Sequence, residues 1–138
     1  METPTDDGSD RLFLVELGEG LLTIIPLRDV DAYRWPEMEE SSKGIFESIQ
    51  RDPAVKVLVD MGRMATCTSA LLGLMIKVWK SVSPQSGVLA FCNVNDDIGH
   101  ILRQTKLDTL WAIYSSREAA QTALGVSSKS FDSTTVVE

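Results

Sequence analysis

Val55-Lys56-Val57-Leu58-Val59-Asp60-Met61 is the stretch on which the fold turns. Three valines and a leucine in seven positions suit a strand buried within a sheet. An apolar-rich segment of helical period, Thr68 to Val82, follows it. Pro84 to Gly87 then reads as a turn, and Val88 to Cys92 as a second buried strand. A strand, a helix and a strand in that order form a crossover, and a crossover makes the two strands parallel.

Working outward, the same alternation continues. Asp96 to Lys106 reads as a helix with Ile98, Ile101 and Leu102 inward, and Leu110 to Tyr114 as a short strand. Ser115-Ser116-Arg117-Glu118 has the pattern of a capping box opening a last helix. Ala119, Ala120, Ala123 and Leu124 give that helix a small packing face, and Gly125 is its expected stop. Upstream, Leu12 to Leu17 and Leu21 to Leu27 flank Gly18-Glu19-Gly20 and predict a β-hairpin. Between hairpin and central strand, Pro36 to Gln50 predicts one helix with Met38, Ile45, Phe46 and Ile49 on one side, ended by Asp52-Pro53. The expected architecture is α/β: a mixed, largely parallel sheet with an N-terminal β-hairpin and about four helices over residues 11–125. Residues 1–10 are expected to be a flexible acidic tail and residues 126–138 a flexible C-terminal one.

The chain has 138 residues, enough for one domain with one core. Its net charge of −7 repels phosphate backbones and anionic lipid, so nucleic acid and membrane surfaces are poor partners. No apolar run approaches the roughly 20 residues that span a bilayer. The acidic start lacks the basic and apolar regions of a signal peptide, and a cytoplasmic location is expected. Cys67 and Cys92 lack CxxC spacing and His100 is the sole histidine, so no metal site and no cofactor is expected.

In parallel sheets the working loops lie at the carboxyl ends of the strands. Here that loop is Asp60 to Ser69, leading into the helix. Thr68 or Ser69 can cap the helix, and two readings fit: a plain N-cap, or a point favourable to an anion, including a phosphoryl group on the hydroxyl itself. At about 100° per residue, Ala70, Leu71, Leu74, Met75, Val78 and Val82 face the core, while Ser69, Gly73, Lys77 and Lys80 lie broadly opposite. Leu72, Ile76 and Trp79 flank this polar stripe. They form either a docking surface or a face covered by a neighbouring helix, and an exposed Trp79 would also permit a homodimer.

These residues resemble the STAS domain, shared by anti-sigma factor antagonists and the tails of sulfate transporters. The family pattern is a buried strand ending in Asp, a short loop, then Asp-Ser-Ser-Gly-Leu-Gly opening a helix. The chain offers Leu58-Val59-Asp60, then Thr68-Ser69-Ala70-Leu71-Leu72-Gly73. Asp60, Ser69, Leu72 and Gly73 match; Thr68 stands for the Asp, Ala70 for the second Ser and Leu71 for the first Gly. Leu89 to Asn93, Ile98 to Leu107 and Ile113 to Ala120 are similar to the family's second half, and Asp31 sits where the family places an Asp after its second strand. The resemblance implies a protein-binding regulatory domain that docks an anti-sigma factor or serine kinase-like protein. Ser69, or secondarily Thr68, would be its phosphorylation site. The docking set implied is Asp31, Asp60, Ser69, Leu72, Gly73, Ile76, Lys77 and Trp79.

Enzyme readings fare worse. No Gly-x-Ser-x-Gly elbow, Walker loop or Gly-x-Gly-x-x-Gly is present, and no Arg closes a phosphate loop after Cys67. Asp60 with Asp31 suggests a receiver-like phospho-acceptor or magnesium site, but the opening hairpin disagrees with that fold. A constitutive scaffold subunit without phosphorylation, and a module binding a nucleotide or other small anion at the same helix start, remain the alternatives.

Overall fold

Lys56–Asp60 form the strand that the valine pattern predicts, within a six-stranded sheet. The structure, a computed structural model, describes residues 12–18, 20–28, 35–51, 55–85, 87–125 and 135–137. In chain order the elements are β1 (Phe13–Gly18), β2 (Leu21–Pro26), α1 (Trp35–Ser41), α2 (Lys43–Arg51), β3 (Lys56–Asp60) and α3 (Ser69–Val82). They continue with β4 (Val88–Cys92), α4 (Asp96–Gln104), β5 (Ala112–Tyr114), α5 (Arg117–Ala123) and β6 (Thr135–Val137). The strand order is β5-β4-β3-β2-β1-β6. β2 to β5 are parallel neighbours, and the β1–β2 hairpin is antiparallel, in register from Phe13↔Pro26 to Gly18↔Leu21.

Side chains alternate across a strand, so the sheet has two distinct faces. Val57, Val59, Leu89 and Phe91 point into the large core with Met38, Ile45, Ile49, Leu71, Met75, Val78, Ile98 and Leu102. Leu58, Ala90 and Cys92 point the other way and cluster with Leu21, Ala120, Leu124 and the flank of Tyr114, so among the described residues α5 covers that face. The mixed, largely parallel sheet and its opening hairpin follow the sequence pattern.

Four local expectations differ. The helix expected over Pro36 to Gln50 is two helices, broken at Ser42, whose hydroxyl donates back to the Glu39 carbonyl at 2.9 Å; such back-bonding competes with the helical ladder. The last helix is capped by Ser116, which accepts from the Ala119 amide at 3.0 Å. Ala119 therefore holds the third helical position, and the reciprocal arm of a capping box is missing. On that helix Ala123 is exposed and Gln121 is buried in its stead. Finally, residues 135–137, expected as part of a loose tail, pair antiparallel with β1 through Val15↔Val137, Glu16↔Val136 and Leu17↔Thr135.

Candidate docking site at the start of α3

Three loops emerge at the carboxyl ends of β3, β4 and β5, and named side chains join them. Asp60 ends β3. Its Oδ1 accepts from the Gly62 amide at 2.9 Å, closing a tight turn, and from Asn93 Nδ2 at 3.0 Å. Its Oδ2 accepts two bonds from Arg117, Nε at 3.1 Å and Nη2 at 2.8 Å, a bidentate fork. Arg117 Nη1 reaches Glu16 Oε1 on β1 at 3.1 Å. Asn93 adopts a left-handed φ of 56°, a conformation Asn tolerates better than most residues. In the same loop, Asn95 Oδ1 caps α4 by accepting from the Ile98 amide at 2.8 Å. Its amide nitrogen donates to the carbonyls of Ala65 at 3.0 Å and Met64 at 3.4 Å. Asn95 thus fixes the loop that leads to α3.

Electrostatics follow from this wiring. Burial alone would raise the Asp60 carboxyl. The hydrogen bonds from Asn93, Gly62 and Arg117, with the guanidinium charge, overcome that and hold it below its ordinary 3.8. Burial would lower the Arg117 guanidinium, and its bonds and charge contact with Asp60, helped by Glu16, raise it instead. Burial beside the Asp60 charge pushes the Cys92 thiol up to about 12. Asp60 is therefore an internal anion whose charge Arg117 takes up.

At the helix itself, Thr68 is the N-cap: its Oγ1 accepts from the Leu71 amide at 3.3 Å. Ser69 is the first helical residue and is exposed. Gly73, one turn on, is half-buried, and a Cβ built there would meet no atom within 4 Å. Lys77 and Lys80 are exposed on the same side, and Lys77 Nζ stands 5.8 Å from the centroid of the Phe46 ring of α2. The structure therefore brings Ser69, Gly73, Lys77 and Lys80 together along one open face.

The apolar flank is corrected. Leu72, expected beside the stripe, is buried in the core, and Ile76 and Trp79 are half-buried against that core. The core takes up Leu72, which offers no docking contact, while Ile76 and Trp79 keep part of their surface beside the stripe. His100 is exposed, as expected from its helical angle. Asp31 lies outside the described residues.

No family model matches the sequence, and no curated protein matches it significantly. Solved structures do match its shape. A proposed anti-sigma factor antagonist from Thermotoga maritima superposes with a TM-score of 0.70 at 18% identity, over 82% of this chain and 94% of that one. The fold is that of a STAS domain. An anti-sigma-factor antagonist (STAS) domain protein from Planctomyces limnophilus superposes with a TM-score of 0.65 at 24% identity, over 81% of this chain and 97% of that one. The anti-sigma factor antagonist SpoIIAA in its unphosphorylated form gives 0.66 at 14% identity, over 83% of this chain and 98% of that one. Among the described residues, no helix is long and apolar enough to cross a membrane.

Sequence reasoning missed Glu16, Asn93, Asn95 and Arg117 as the frame of this site. Asp60 and Arg117 are 57 positions apart, and no local pattern links them. One signal was available: an Arg at the first position of a helix opposes the helix dipole, which points to a carboxylate recruited from elsewhere.

Proposed function

We propose that this chain is a non-catalytic regulatory domain that docks a protein partner of the anti-sigma factor or serine-kinase class through the start of α3. In this reading Ser69 is the switch. The observation that carries it is the exposed Ser69 at the first position of α3, with the open Gly73 one turn above. Thr68 is the weaker candidate for modification, because its hydroxyl is occupied as the helix cap. Support also comes from Asp60: a carboxylate held by Arg117, Asn93 and Gly62 braces the loop and leaves Ser69 as the accessible group. The location proposed is the cytoplasm, without nucleic-acid or membrane partners.

Phosphorylation adds about −1.5 to −2 charges. The α3 N-terminus tolerates that charge, so the fold survives and the effect falls on docking. The test compares wild type, Ser69→Ala and Ser69→Asp for binding to the anti-sigma and serine-kinase proteins of the source organism, with phosphosite mapping. Loss of binding in Ser69→Asp alone supports the switch. A constitutive scaffold binds equally with all three, and that outcome sinks the switch. A small-anion module is read separately: GTP or GDP would raise the melting temperature, since a ligand of the folded state must stabilise it.

A further inference from the structure

The charge of the chain is unevenly placed. Residues 61–82, the loop and α3, contain three basic residues, Arg63, Lys77 and Lys80, and no acidic one. The whole chain carries −7, so removing this +3 leaves −10 on the rest. All three cations are exposed, and among the described residues none has a carboxylate within ion-pair distance. Three acids elsewhere do find partners: Lys43 takes Glu40, and Arg117 takes Asp60 and Glu16. Lys77 and Lys80 lie on the Ser69–Gly73 side of α3, and the Phe46 ring holds Lys77 against α2. The opposite bank of the groove beside Lys77, from α1 and α2, carries Glu39 and Glu47 beside Lys43, whose charge Glu40 takes up.

We propose that the partner surface this site takes is acidic: carboxylates that meet Arg63, Lys77 and Lys80, packed over Gly73. The inference rests on the reading of α3 as the docking helix and adds the chemistry of its occupant. A basic partner would be drawn to the remaining −10, and only an acidic surface is steered selectively to this face. Glu39 on α1 and Glu47 on α2 act against an acidic partner shifted onto that bank, which favours the α3 register by like-charge repulsion. Modification of Ser69 then acts twice. It cancels half or more of the local +3, and it sets a phosphate against incoming carboxylates.

The test uses the full chain, isotope-labelled, with two probes: a glutamate-rich amphipathic peptide and its lysine counterpart. The glutamate peptide is expected to shift the amides of residues 63 and 69–80. Lys77→Glu/Lys80→Glu should weaken its binding by about tenfold or more at low salt, and wild-type binding should fall as the screening length drops from about 30 Å at 0.01 M to about 8 Å at 0.15 M. Both lysines are exposed, and an unchanged melting temperature would establish that the double variant is folded. Shifts from the lysine peptide alone, shifts outside α3, tighter binding of a short DNA duplex, or indifference to the double substitution would overturn the proposal. Ser69→Asp separates the two readings. If the double variant loses the peptide while Ser69→Asp keeps it, acidic recognition stands and the switch fails. If Ser69→Asp loses the native partner while the double variant keeps it, the switch stands and acidic recognition fails.

Discussion

A cation at the first position of a helix faces the positive end of the peptide dipoles, so Arg117 sits there against a local penalty that Asp60 and Glu16 offset. Removing the cation leaves Asp60, largely buried, to find another partner. Arg117→Met is expected to destabilise the fold by about 1–3 kcal/mol, below the roughly 3–5 kcal/mol of broken buried pairs because the guanidinium is partly solvated. Chemical denaturation would measure it, and a double-mutant cycle with Asp60→Asn should return a coupling well above zero. Two glycines make an opposite pair of predictions. A Cβ at Gly87 would stand 2.6 Å from the Val82 Cβ and 2.9 Å from the carbonyl oxygens of Val82 and Val55, so backbone itself must move. Gly87→Ala should cost about 1–3 kcal/mol. Gly73 is mid-helix with free space above it, and Gly73→Ala should instead stabilise by roughly 0.5–1 kcal/mol. The Gly73→Ala variant also tests whether the open backbone there serves the docking of a partner. Loss of partner binding in the more stable Gly73→Ala variant would show that it does, through close approach; unchanged binding would show that it does not.

At the scale of elements, β3 and α5 are fastened at both ends. Arg117, opening α5, bonds Asp60 at the end of β3, and Lys56, opening β3, donates from Nζ to the Leu124 carbonyl at the close of α5. Four strand steps of about 3.3 Å and seven helical steps of about 1.5 Å span similar lengths, so two contacts can hold the helix antiparallel to the strand. Both contacts join groups far apart in sequence, which explains how much could be read in advance. The β-α-β core around Val57 and Val59 was legible because its apolar periods change from strand to helix and back. The Ser69–Gly73–Lys77–Lys80 stripe was legible because helical angle alone groups it. The burial of Leu72 was not, since it depends on what packs beside α3. Nor was the break at Ser42, where the apolar period of Met38 and Ile45 runs on across a local hydroxyl bond. The platform depends on Asn95 in the same non-local way. Asn95→Ala leaves α4 without its cap and the Met64 and Ala65 carbonyls without their donor, and should cost about 1–2 kcal/mol. Hydrogen exchange would locate the loss: faster exchange in residues 61–68 as well as at the start of α4 supports the bracing role, and a change confined to α4 refutes it.

For the whole molecule, charge and burial act in opposite directions as pH falls. At neutral pH the net −7 makes the fold repel itself, and protonating surface carboxylates toward the isoelectric point near 4.7 relieves that repulsion. Asp60 behaves differently. Its folded carboxyl titrates below the ordinary 3.8, so between those two values the unfolded chain binds a proton that the folded chain does not. Stability from the Asp60–Arg117 pair is therefore fully present above about pH 4 and is lost as pH falls through the folded value. The urea midpoint should thus rise modestly from pH 7 to about 5 and fall below about 4. In Asp60→Asn the second phase should shrink, and its midpoint should approach that of wild type as pH drops, because the wild type loses the charge that the variant never had. A constant gap between the two proteins from pH 7 down to pH 3 would mean that the Asp60 charge contributes nothing to stability. The carboxylate at the foot of the Ser69 loop would then brace it by hydrogen bonds alone, and Asn, which keeps an acceptor oxygen but carries no charge, should hold the loop nearly as well.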